Sequence, residues 1–126
     1  MIEIHLPLPP KVLSPNGRTR NHGYRAAAVR KARRDAGLAT IAAFNDAGIL
    51  AGTMWPKATV QPIFWLARKQ DGDGLNSWVK SYLDGMQDAG VVANDSGIRL
   101  LPPLQKTGKE SAGKREVVLQ ITPGWK

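Results

Sequence analysis

The chain has 126 residues, 18 basic and 10 acidic side chains, a formal charge of +8 and no cysteine. That length predicts a single domain, residues 1–126, with a core of its own, and the missing thiols exclude a disulfide framework, a thiolate metal centre and a cysteine nucleophile. No apolar run approaches the ~20 residues of a membrane helix, and MIEIHLPLPP lacks a signal-peptide pattern, so a cytoplasmic protein with no membrane partner is expected.

Ile2, Ile4 and Leu6 alternate with Glu3 and His5, the period of a half-buried strand, which Pro7, Pro9 and Pro10 end. Ser14 to Gly23 reads as a basic loop through Pro15-Asn16-Gly17. From Tyr24 to about Ala47, apolar Val29, Ala32, Ala36, Ala39 and Ala43 recur at helical steps, with Gly37 weakening the middle and Gly48 as the C-cap. Between Lys11 and Arg34 stand eight basic residues and no acid. Lys106, Lys109, Lys114 and Arg115 form a second group. Clusters of this kind suit a polyanion, because each neutralised phosphate releases counterions. A plain solvated surface is the alternative.

Thr59 to Leu66 predicts a strand, with Pro62 arguing for an edge position or a bulge. A helix follows, in which Leu75, Trp78, Val79, Tyr82, Leu83 and Met86 share one face. Asp73, Ser77, Lys80 and Asp84 share the opposite one. Asp73 stands where its N-cap belongs and Gly90 closes it. Gly97 to Leu101 and Glu116 to Thr122 read as further strands, and Lys106 to Lys114 as a mobile loop. His5 reads as structural, and His22 as a weak phosphate contact. The four tryptophans read as core or lid, with Trp55 and Trp125 the two outside the periodic patterns.

Five of the ten acids fall between Gln70 and Ser96: Asp71, Asp73, Asp84, Asp88 and Asp95. Two readings compete for the first pair. In one, Asp73 caps the helix and Asp71 favours the positive end of its dipole. In the other, Asp71 and Asp73 at a strand end, completed by Asp95, hold Mg²⁺ or Mn²⁺ through hard oxygen ligands. Such an ion beside a phosphodiester activates water and stabilises the leaving oxygen. Lys80 is open between an exposed ion pair with Asp84 and a charge stabiliser facing the scissile phosphate. An EF-hand is excluded, because Leu75, Asn76 and Tyr82 stand where that loop needs a ligand, a Gly and a bidentate Glu.

Asp71-Gly72-Asp73-Gly74-Leu75, then Lys80, Leu83-Asp84-Gly85-Met86, Ala89-Gly90-Val91-Val92 and Asn94-Asp95-Ser96 resemble the central motif of the RusA family of Holliday-junction resolvases, common in bacteria and their phages. The opening strand ending in LPLPP and the basic loop after it are similar to that family's start. Gly74, Asn94 and Gln70 depart from the residues usual at those positions. The resemblance implies an α+β fold, a mixed β-sheet packed with two main helices, acting as a homodimer. It implies a Mg²⁺- or Mn²⁺-dependent, structure-selective endodeoxyribonuclease that resolves four-way DNA junctions by paired, symmetric nicks in recombination and repair. Asp71, Asp73 and Asp95 would be catalytic and metal-holding, and Lys80 the essential lysine. Lys11, Arg18, Arg20, Arg25, Arg30 and Lys69 would grip the DNA. The rival expectation is a basic nucleic-acid-binding protein without catalysis.

Overall fold

The computed structural model describes residues 1–14, 22–49, 55–92 and 95–124, with His22 and Asp95 by backbone alone. In chain order it contains β1 (Ile2–Pro7), a 3₁₀ turn (Lys11–Leu13), α1 (His22–Asp46), β2 (Ala58–Trp65) and α2 (Gly72–Asp88). A second 3₁₀ turn (Asp95–Gly97), β3 (Ile98–Leu100), β4 (Leu104–Lys106) and β5 (Glu116–Pro123) follow. The architecture is α+β, two helices and one mixed sheet. β5 lies between β1 and β2, antiparallel to both, and the far side of β2 carries β3 and then β4, both parallel to it. Among the described residues no helix is long and apolar enough to cross a membrane.

The strand alternations set the core. Ile2, Ile4 and Leu6 of β1, Val117, Leu119 and Ile121 of β5, and Ala58, Val60 and Phe64 of β2 are all buried. The α2 stripe of Leu75, Trp78, Val79, Tyr82 and Met86 is buried with them, while Leu83 is half-buried. Trp78 stacks on Phe64 at 6.2 Å between ring centroids and donates its indole N–H to the Pro10 carbonyl. The Tyr82 hydroxyl donates to the Pro7 carbonyl, so α2 ties down the chain leaving β1. Trp55 is half-buried against Phe44, and Trp125 lies outside the described residues.

Three expectations are corrected. α1 begins at His22, which takes Gly23 into the helix; the expected loop from Pro15 to Asn21 lies outside the described residues. Gly37, the weak point expected inside α1, stands where that helix crosses α2, since a Cβ there would meet the Gly85 carbonyl oxygen at 3.2 Å. Pro62 is buried in a strand paired on both sides. Leu101 N–H donates to the Val60 carbonyl and Leu66 N–H to that of Lys106, so even-numbered backbone groups of β2 turn toward β3 and β4. The N–H that Pro62 lacks therefore faces the break at Pro102-Pro103, where no ladder partner stands. Lastly, Lys106 closes the strand Leu104–Lys106 rather than opening the loop, and in the turns that follow buried Ser111 donates its hydroxyl to the Gly108 carbonyl.

The C-terminus of α1 behaves as expected. Gly48 at φ +77° gives its N–H to the Asn45 carbonyl, and Ile49 gives its own to Phe44, a Schellman closure.

Register sets the ends of the sheet. Glu116 stands opposite both Pro7 and Trp65, so β1 and β2 finish together at the edge where β5 starts. The 3₁₀ turn after β1, the β2–α2 connection and the β4–β5 connection share that edge. Arg25 brings the start of α1 to it by donating to the Val12 carbonyl. Trp55, Val92 and the 3₁₀ turn before β3 lie at the other edge.

Candidate functional site

Asp71 and Asp73 sit at the edge where β1 and β2 end. The cap position of α2 belongs to Asp71 (φ −65°, ψ 130°), with Asp73 in the first turn, which corrects the expected assignment of the cap to Asp73. The Asp71 side chain makes no capping hydrogen bond. Both residues are exposed, and neither carboxylate has an ion-pair partner among the described residues. Capping thus leaves both carboxylates unexplained. In the next turn, Asn76 has a buried side-chain oxygen that no described donor reaches.

Lys80 follows Asp73 by seven residues, two turns up the same face, about 10 Å away along the axis. Its ammonium lies 3.3 Å from an Asp84 carboxylate oxygen, both groups well exposed, so the ion-pair reading is realised. An exposed pair in that order contributes little and opens readily.

The basic residues divide into bound and free. Arg33 spans to Asp88 with two hydrogen bonds, one of them 2.8 Å from Nη2. This contact holds the Asp88 carboxyl below its usual range, through the hydrogen bond first and then the charge. Lys31 pairs with Asp35 at 2.8 Å, and Lys106 with Glu110 at 3.4 Å. Lys11, Arg30 and Lys69 are exposed with no acidic partner among the described residues, as are Arg68 and Lys109. Lys11, Arg25, Arg68, Lys69 and Lys109 all lie on elements at the edge that carries Asp71. Arg18 and Arg20 lie outside the described residues.

Asp95 is placed differently. It opens the 3₁₀ turn before β3, and the parallel register sets Ile98 beside Ala58. Its backbone therefore lies at the start of β2, whereas Asp71 lies past the end of that strand. The eight residues of β2 separate the two by more than about 20 Å at ~3.3 Å per residue. Among the described residues no three His, Asp or Glu side chains stand together as for a metal ion. Asp71 and Asp73 stand two residues apart at the start of α2, and the backbone of one chain does not bring the third aspartate of the expected set to them.

The residue that composition and spacing missed is Gln105. Its side-chain amide bonds both backbone groups of Gln70, the residue before Asp71. No protein-family model matches the chain, and no curated protein matches it.

Proposed function

We propose that the chain is a Mg²⁺- or Mn²⁺-dependent endonuclease acting on branched DNA, the activity implied by the resemblance to the RusA family. One observation carries this reading: two exposed carboxylates with no ion-pair partner among the described residues sit at a sheet edge that also gathers Lys11, Arg25, Arg68, Lys69 and Lys109. A basic rim attracts phosphate, and a carboxylate pair inside it suits a hard divalent ion bridging to that phosphate. Asp71 and Asp73 would hold the ion, which when bound supplies an activated water and neutralises charge on the phosphodiester. Lys80, released from Asp84, adds positive charge on the same helix face. Asp95 joins this pair only from a second copy, because its own chain carries it at the other end of β2. A two-fold dimer supplies two equivalent sites, one for each of the paired nicks in a four-way junction.

The position of Asp95 also favours the rival reading, a nucleic-acid-binding protein without catalysis. A junction-cleavage assay in Mg²⁺ and in EDTA separates the two. The expected result is metal-dependent cutting that Asp73→Asn abolishes while junction binding is kept or tightened. Normal cutting by Asp73→Asn overturns the metal assignment, and junction binding without cutting in Mg²⁺ establishes the rival.

A further inference from the structure

Gln105 lies on β4, opposite Phe64 of β2. Its Oε1 accepts the Gln70 backbone N–H at 2.8 Å, and its Nε2 donates to the Gln70 carbonyl at 2.8 Å. The two bonds fix the orientation of the amide, since a flipped group would set donor against donor and acceptor against acceptor. Around it the β2–α2 connection is stitched to β4 and the turn after it by Leu66 N–H to the Lys106 carbonyl and Gly108 N–H to the Ala67 carbonyl.

The consequence falls on Asp71. Gln70's carbonyl belongs to the peptide plane entering Asp71, and Gln105 holds it. Asp71's own carbonyl accepts the Leu75 N–H, which holds the plane leaving it. With both planes fixed, the φ and ψ of Asp71 are set, and with them the direction of its Cα–Cβ bond. Asp73 needs no such help, because the first turn of α2 already holds it.

We infer that Gln105 is a positioning residue: it aims the Asp71 carboxylate so that Asp71 and Asp73 address one divalent ion. This rests on the metal-dependent reading above. Groups that orient a metal's ligands change metal affinity or activity about 10–100-fold when removed. Gln105→Met keeps the length of the side chain and removes both hydrogen bonds. Gln105→Glu keeps the acceptor and loses the donor. Gln120→Met serves as control, since Gln120 bonds Glu3 between β5 and β1 and stands in the sheet opposite Gln61, well before the end of β2.

The test has two readouts. One is Mn²⁺ titration of the free protein, followed by paramagnetic broadening of the amide signals of residues 70–74. The other is the Mg²⁺ concentration giving half-maximal junction cutting. Gln105→Met is expected to raise both midpoints about tenfold or more, with Gln105→Glu in between and Gln120→Met unchanged. If Gln105→Met fails to fold, Gln105→Glu carries the same comparison. Wild type that cuts and broadens, with Gln105 variants at the same midpoints, overturns the inference and leaves the nuclease reading standing. Wild type that neither binds Mn²⁺ nor cuts overturns both.

Discussion

Gly37 and Gly85 meet backbone to backbone where α1 crosses α2, close enough that a Cβ on Gly37 would lie 3.2 Å from the Gly85 carbonyl oxygen. The contact is tighter from the other side, because a Cβ on Gly85 would overlap the Arg33 carbonyl oxygen. A backbone oxygen cannot swing aside as a side-chain tip can, so the helices must separate. Gly85→Ala is therefore expected to destabilise the protein by about 2–3 kcal/mol, lowering Tm by roughly 10 °C. Gly37→Ala should cost far less, because its milder crowding is offset by the better helix propensity of Ala. Thermal melts of the two variants check this, and a Gly85→Ala melt matching wild type would mean the helices do not pack so closely.

Tyr82 gives the protein an alkaline signature. Burial raises its phenol from the ordinary 10.0 to about 12, with the charge of Asp35 adding to the effect. The folded state keeps the proton that the unfolded chain releases, so this contribution is complete below pH 10 and disappears as pH rises toward about 12. Tyr82→Phe loses the hydrogen bond to Pro7, but its stability should fall less steeply over that window, by about 2 kcal/mol in total. Urea titrations of wild type and variant at pH 9 and pH 11.5 measure the difference. Parallel pH profiles would show that Tyr82 ionises as readily folded as unfolded.

Much of the fold was legible because burial imposes a period. β1 and β5 were readable from alternation, and the buried face of α2 from its three- and four-residue steps. Pro62 misled because what makes it tolerable, the break at Pro102-Pro103, lies in another strand and appears only once β2, β3 and β4 are aligned. β4 is three residues long, too short to show any period. Gln105 had no sequence signature, since its partner is the backbone of Gln70, which any residue would present. The local pair Asp71 and Asp73 was legible from spacing. The distance to Asp95 was not, because it follows from the parallel register of β3 on β2.

On the proposed nuclease reading, the division of basic residues into bound and free predicts their share of junction affinity. Arg30 and Lys69 have no acidic partner among the described residues, whereas Arg33 is held by Asp88 through two hydrogen bonds. Each free cation that contacts a phosphate contributes about 0.9 to the slope of log K against log salt. Lys69→Ala and Arg30→Ala should each lower the slope of junction binding by about one, and Arg33→Ala should leave it nearly unchanged. Fluorescence anisotropy between 50 and 200 mM salt reads this. An Arg33→Ala slope that falls as far as the Lys69→Ala slope would mean that DNA displaces Asp88.

The separation of Asp95 from Asp71 along β2 yields the most decisive prediction. If a nuclease site needs all three aspartates, it takes Asp71 and Asp73 from one copy and Asp95 from another. Asp73→Asn and Asp95→Asn homodimers are then both inactive, each carrying one defect in both sites. In a mixed dimer of the two, one site collects both defects and the other collects none, so cutting returns in the form of single nicks. Sites built within one chain give the opposite outcome, since every site in the mixed dimer keeps one defect. Co-refolding the two variants in equal amounts and assaying a four-way junction in Mg²⁺ distinguishes these arrangements. Half of the dimers in that mixture are hetero-dimers, each with one intact site, so recovery near a quarter of the wild-type nicking rate is expected. No recovery from a mixture shown to contain hetero-dimers would place all the metal ligands on a single chain, contrary to the register of the sheet.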